Sequence, residues 1–297
     1  MRSGIGPHEH LAGRGIATVA DLPGVGGNLQ DHPSVSISAY LPPATRSRDA
    51  LRHNYANLVY SSTQAGCPAN DMVMMVVIKS AWHEVGKRIG TLSTYVGKTF
   101  STGSVRLHPQ APQGSPEVRF NWLSDARDMR RAAGSFRWMA ELIGSGAAPQ
   151  ACSNPFTVGF SEKVKKLGQK TPVNAALTWT AAQALDASPV LRGLIIKHVI
   201  TGGLSLDGLL RSPAALEDYL RASVTGIWHP CGTCRMGART DPLSVTDSDG
   251  RVIGVDGLYV ADASVIPEIP TTNLNLPTLM VAEKLAAQIK SGLQAVR

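Results

Sequence analysis

Between Pro33 and Leu123 the chain carries a succession of short runs, each too brief for an ordinary helix and bounded by Gly, Pro, Asn or Asp. "SVSISAYL" alternates polar and apolar residues as a half-buried strand does. "DMVMMVVIKS", "GTLSTYVGK", "GSVRLHP" and "PEVRFNWL" follow as four further strand-like runs with turn residues between them. Strands joined this closely pair antiparallel, because parallel neighbours need long crossovers. The expected fold is therefore mixed α/β (α+β), with an antiparallel sheet covered on one face by helices.

The first covering helix is signalled by Ser124 as cap, by Asp125 and Asp128 in its first turn, and by Met129, Ala132, Phe136, Met139 and Ile143 at spacings of three and four. Gly144 marks its end. "SPVLRGLIIKHVI" and "SPAALEDYLRA" each open with Ser-Pro, a cap followed by proline at the first helical position, and both are expected to be helices. After Thr225 the texture changes. "RVIGVDGLYVADASVIP" gives two short apolar runs about a Val-Asp-Gly turn, and "NLNLPTLMVAEKLAAQIKSGL" reads as a helix with Pro277 at its start and Gly292 beyond its end. A domain boundary is expected near Pro33.

Composition narrows the function classes. Among 297 residues, 29 basic against 22 acidic side chains leave a charge of +7. The densest group, Arg127, Arg130, Arg131 and Arg137, falls on the amphipathic helix without interleaved aromatics, which reads as a solvated face and argues against nucleic-acid binding. Cys67, Cys152, Cys231 and Cys234 are too few and too irregular for a disulfide framework, so reduced thiols are expected. The first residues lack the apolar core of a signal peptide and no stretch of 18 uncharged apolar residues occurs, so no membrane span and a cytoplasmic location are expected.

"WHPCGTCRMG", residues 228–237, is the most chemically loaded stretch. A metal reading of Cys231 and Cys234 fails on ligand count, since structural zinc wants four ligands and the other cysteines are remote in sequence. No metal is expected. A dithiol redox reading lacks the βαβ context that presents such pairs. Small buried apolar side chains are the expected role of both cysteines. His229 remains, either as a structural histidine or as a base. "PGVGG", with Gly24, Gly26 and Gly27, has leucine at position 29 where a dinucleotide fingerprint needs its third glycine, and it leads into a strand; no complete phosphate-cradling fingerprint occurs in the chain.

Three blocks, "SGIGPHEHLAGRGIATVADLPGVGGNLQDHP", "HPCGTCRMG" and "GRVIGVDGLYVADASVIPEIPTTNLNLPTLMVAEKLA", together resemble the glucose-methanol-choline (GMC) family of flavin-dependent alcohol oxidoreductases. The resemblance implies FAD as cofactor and a small-molecule alcohol as substrate, with the electron acceptor open. It implies flavin-domain segments at residues 1–33 and 226–297 around a substrate domain at 34–225. By the same resemblance His229 is the base that takes the hydroxyl proton and Asn273 its partner on the substrate oxygen, although Asn273 also fits a helix N-cap. Asp262, Ala263, Asn275 and Thr278 are placed beside the flavin ring, and Asn28 and His32 near the cofactor. "HPCGTCRMG" with Asn273 points to the choline dehydrogenase-like and general alcohol dehydrogenase branch. The family's G-x-G-x-x-G loop has no counterpart, which implies a chain starting at an internal methionine, inactive alone; the alternative is a non-catalytic remnant or binding subunit of a GMC-type protein.

Overall fold

The computed structural model describes residues 1–47, 52–158 and 166–295. It divides into two units. One comprises Met1–His32, Gly97–Asp125 and Gly226–Arg297; the other comprises Pro33–Val96 and Ala126–Thr225. The first unit thus takes residues 97–125, which the sequence reading left within the 34–225 segment.

In the second unit the strands Asn54–Tyr60, Met72–Val77, Ile89–Val96 and Pro33–Tyr40 run antiparallel in that spatial order, and Ser153–Thr157 pairs antiparallel with Pro33–Tyr40. Asn54–Tyr60 is missing from the sequence reading. It is an edge strand with Tyr55, Leu58 and Val59 exposed, so no face-by-face burial stamped an alternation on it. Pro33–Tyr40 also departs from expectation. It is buried almost throughout, not on one face, because its serines meet hydroxyls across the pairing: Ser34 and Ser36 bond Ser93, and Ser38 bonds Thr91.

The helix Ala126–Gly144 lays Met129, Ala132, Phe136, Met139 and Ile143 against this sheet, all five buried. One expectation about it fails. Arg131 is not on a solvated face: its side chain is 0% exposed and bonds Asp71 and, one turn earlier on the helix, Asp128. Burial of a guanidinium is tolerable only with such full pairing. The helices Pro172–Ala187, Pro189–Leu194, Leu206–Arg211 and Pro213–Ser223 are capped by Thr171, Ser188, Ser205 and Ser212, whose hydroxyls accept an N–H from the third residue on.

In the first unit, Ile5–Gly6 and Ala20–Asp21 pair parallel around the helix His8–Ala12. The runs expected to continue the sheet form a separate ribbon instead, Ser104–Arg106 against Glu117–Arg119. The helix Asn275–Ala295 passes through Gly292 without stopping there; one glycine costs a helix about 1 kcal/mol, which the flanking formers outweigh. Two small clusters hold the irregular segments: Leu22, Val25, Val245 and Val252 in one, and Cys231, Ile266, Ile269 and Leu274 in the other.

Candidate functional site

The loop that follows Gly226 is held by the segment Asn28–His32. Gln30 and Cys231 exchange both backbone hydrogen bonds at 3.0 Å, an antiparallel bridge that zips the two stretches together. Gln30 then uses both ends of its amide: Nε2 donates to the Pro267 carbonyl at 3.0 Å and Oε1 accepts the Ile269 N–H at 3.1 Å. Asn28, at a left-handed φ of 53°, donates to the carbonyls of Pro267 and Gly232 at 3.0 and 3.3 Å. Gly232 sits at φ +90° and a Cβ there would lie 2.4 Å from the Asn28 carbonyl oxygen, so this close approach requires glycine.

Asp31 does the rest. It is 2% exposed, and one carboxylate oxygen, Oδ1, accepts the backbone N–H groups of His32 and His229, both at 2.8 Å. Burial nevertheless pushes the Asp31 carboxyl up, against those donors. Its second oxygen, Oδ2, is buried without a partner among the described residues, as is the Trp122 indole N–H. Both crowd Gly226, where a Cβ would fall 2.0 Å from Oδ2 and 2.6 Å from Trp122 Cζ2. Trp228 pays for this arrangement in backbone strain: it adopts φ 64° with 78% of its surface exposed, a conformation that costs an L-residue roughly 1–2 kcal/mol.

The two imidazoles that Asp31 positions meet directly. Nδ1 of His32 and Nδ1 of His229 are 2.9 Å apart, the rings perpendicular. His32 is fully buried and its Nε2 lies 3.0 Å from the Pro270 carbonyl oxygen. Burial first, and the neighbouring His229 second, lower its pKa to about 4, with the Pro270 and Gly97 carbonyls opposing the shift. His229 is half-buried, and loss of solvent lowers its pKa as well. At neutral pH both rings are neutral.

The chain is similar to known proteins over almost all of its length. Residues 99–282 match the family model described as GMC oxidoreductase. The chain belongs to the GMC oxidoreductase family. It is 34% identical over 294 residues to a 5-(hydroxymethyl)furfural oxidase of Methylovorus sp. (strain MP688), and 30% identical over 315 residues to an oxygen-dependent choline dehydrogenase of Rhizobium johnstonii. Each alignment takes in 97% of this chain and 48% of the relative, so the chain spans about half the length of the curated relatives it matches, their C-terminal half. Formate oxidase of Aspergillus oryzae, a structure concerned with modification of its FAD, superposes with a TM-score of 0.70 at 20% identity, over 99% of this chain and 52% of that one. This GMC chain shares that fold.

The remaining residues singled out from the sequence are placed as follows. Asn273 is exposed and, among the described residues, its amide makes no hydrogen bond, to His229 or elsewhere. It does not cap the last helix. The cap position falls one residue later, on buried Leu274, whose carbonyl accepts the Thr278 N–H at 2.8 Å. Asn275 opens the helix, exposed, with Thr278 half-buried behind it. Asp262 caps the turn Ala263–Val265 by accepting the N–H and hydroxyl of Ser264, and the carbonyl of Ala263 accepts the Gly232 N–H. Cys231 and Cys234 pack into different apolar clusters, and burial, with the Asp31 charge second, pushes the Cys231 thiol up to about 12. Sequence reasoning overlooked Asp31 and Gln30. Their signal was present: consecutive polar residues Gln30, Asp31 and His32 between an apolar Leu29 and a strand are costly to bury without a purpose.

Proposed function

We propose that this chain is the substrate-oxidising half of an FAD-dependent GMC oxidoreductase acting on the CH–OH group of a small alcohol, with His229 as the base. The observation that carries this reading is the His32–His229 contact on a loop pinned by a buried carboxylate. A neutral imidazole with one nitrogen engaged inside the protein keeps the other for a ligand, and a base titrating near or below neutrality suits removal of an alcohol proton as the carbon is oxidised. Asn273, with an exposed and unengaged amide a few residues past the Pro270 carbonyl that receives His32, supplies a donor for the developing alkoxide. The Methylovorus and Rhizobium relatives are named for 5-(hydroxymethyl)furfural and choline, both primary alcohols, and a primary alcohol is the substrate class proposed here.

FAD, when bound, supplies the acceptor for the hydride that leaves the carbinol carbon. The residues present fit one end of it. The first turn of Asn275–Ala295 offers the N–H groups of Asn275 and Leu276, unbonded among the described residues, beside exposed Leu276, Leu279 and Met280. That combination suits a flat ring with an electron-rich edge. Asp262, Ala263, Asn275 and Thr278 would hold that ring end. The pyrophosphate has no such cradle in "PGVGG", whose N–H groups are spent on Leu22, Thr233 and Gly24, and where a Cβ on Gly24 would lie 2.1 Å from the Leu243 carbonyl. By this reading residues 1–33 and 226–297 belong with the flavin and 34–225 with the substrate, residues 97–125 being transferred to the former.

The test is His229→Ala in a polypeptide completed to the length of its relatives. Alcohol-dependent flavin reduction, followed anaerobically, should fall about 10²–10⁴-fold; an unchanged rate refutes the assignment. The packed "PGVGG" loop favours a second reading, a non-catalytic binding subunit. It requires the purified 297-residue chain to be colourless, and a yellow chain that bleaches with an alcohol excludes it.

A further inference from the structure

Which nitrogen of His229 faces a ligand is decided by its neighbour. Pro270 offers a carbonyl oxygen, which can only accept, so the nitrogen 3.0 Å from it, Nε2 of His32, carries a hydrogen. A neutral imidazole has one N–H, so Nδ1 of His32 is a bare lone pair. That lone pair lies 2.9 Å from Nδ1 of His229, and a contact that short between two ring nitrogens requires a hydrogen from one side. With the His32 hydrogen given to Pro270 through Nε2, the hydrogen between the rings comes from His229. His229 therefore carries its hydrogen on Nδ1, and its Nε2 is left as an acceptor; among the described residues Nε2 bonds nothing in the protein.

We propose that His32 and Asp31 are positioning residues for His229: Asp31 fixes both backbones through one oxygen, and His32 fixes the tautomer, so that His229 presents Nε2 as the proton acceptor. The first half is read from the two 2.8 Å bonds to Asp31 Oδ1, the second from the Pro270–His32–His229 chain. Proton balance is simple. The substrate hydroxyl gives its proton to His229 Nε2, and the resulting imidazolium still donates from Nδ1 to the bare nitrogen of His32, in a bond strengthened by the new charge. No proton need pass on to His32. Were the hydrogen on Nε2 instead, His229 would meet an alcohol as a donor and could not take its proton. The tautomer claim stands by itself; only its catalytic meaning rests on His229 being the base.

The experiment is a long-range ¹H–¹⁵N correlation spectrum of the full chain labelled with ¹⁵N-histidine, at neutral pH. His229 should show a protonated Nδ1 and a bare, high-frequency Nε2, and His32 the reverse; Nε2–H on His229 overturns the proposal without any variant. His32→Phe should turn the His229 signals into a tautomer mixture, and His32→Gln, which keeps an acceptor towards His229 and a donor towards Pro270, should restore Nδ1–H. A His229 pattern indifferent to His32→Phe also overturns it. In the completed polypeptide, His32→Phe should lower kcat at least 10-fold with KM little changed, and His32→Gln should recover most of it. Failure of the base assignment shows separately, as undiminished turnover in His229→Ala.

Discussion

Two buried carboxylates, one in each unit, are treated in opposite ways. Asp71 has both oxygens answered: Oδ1 accepts the Ser62 N–H at 2.7 Å, and Oδ2 accepts the Ser62 hydroxyl at 2.7 Å and the Arg131 guanidinium at 2.9 Å. Asp31 is as deeply buried, yet loads its donors onto Oδ1 and, among the described residues, leaves Oδ2 without a partner. A fully satisfied buried network holds a fold together, whereas an unanswered oxygen costs free energy and persists where the arrangement serves something else. The first carboxylate ties a helix to the ends of two neighbouring strands. The second aims two imidazoles.

The comparison can be broken by matched substitutions. Asp71→Asn should cost about 3 kcal/mol in urea unfolding, because it strips a charge partner from a fully buried arginine. Asp31→Asn keeps an oxygen for the N–H donors and removes a buried charge, so its loss should stay under about 1 kcal/mol. Equal losses would erase the distinction between the two sites.

A smaller effect comes from pH. An unfolded histidine titrates near 6.5, whereas His32 in the folded chain is held neutral down to about 4. Between those values the unfolded chain binds a proton that the folded chain refuses, so stability is fully present above about pH 6.5 and drains away as the pH falls towards 4. Between pH 7 and pH 5 the loss is on the order of 2 kcal/mol, and His32→Gln should flatten it when unfolding midpoints are compared at those two pH values. The smallest expected effect is chemical. Cys231, buried and pushed up to about 12, should escape iodoacetamide near neutral pH in the folded chain and react once the chain is unfolded, as mass spectrometry will show.

What the sequence revealed follows the range of the forces involved. The Ser-Pro helix starts and the apolar stripe from Met129 to Ile143 are local patterns, and they read correctly. Arg131 looked like one more surface charge because the residue that draws it inward, Asp71, lies 60 positions away. The edge strand Asn54–Tyr60 left no pattern because water reaches most of its side chains. At the candidate site His229 and His32 were visible as residue types, but their pairing spans 197 positions and no spacing encodes it. Asp31 escaped notice for the same reason: its work is done on backbone amides, which carry no letter of their own.

The shared oxygen of Asp31 has a mechanical consequence. Because the backbone N–H groups of His32 and His229 rest on the same oxygen, a displacement of the Asp31 carboxylate is felt at both backbones at once. The two ring positions therefore share one point of support, and a change at that single carboxylate reaches both sides of the inter-ring contact together.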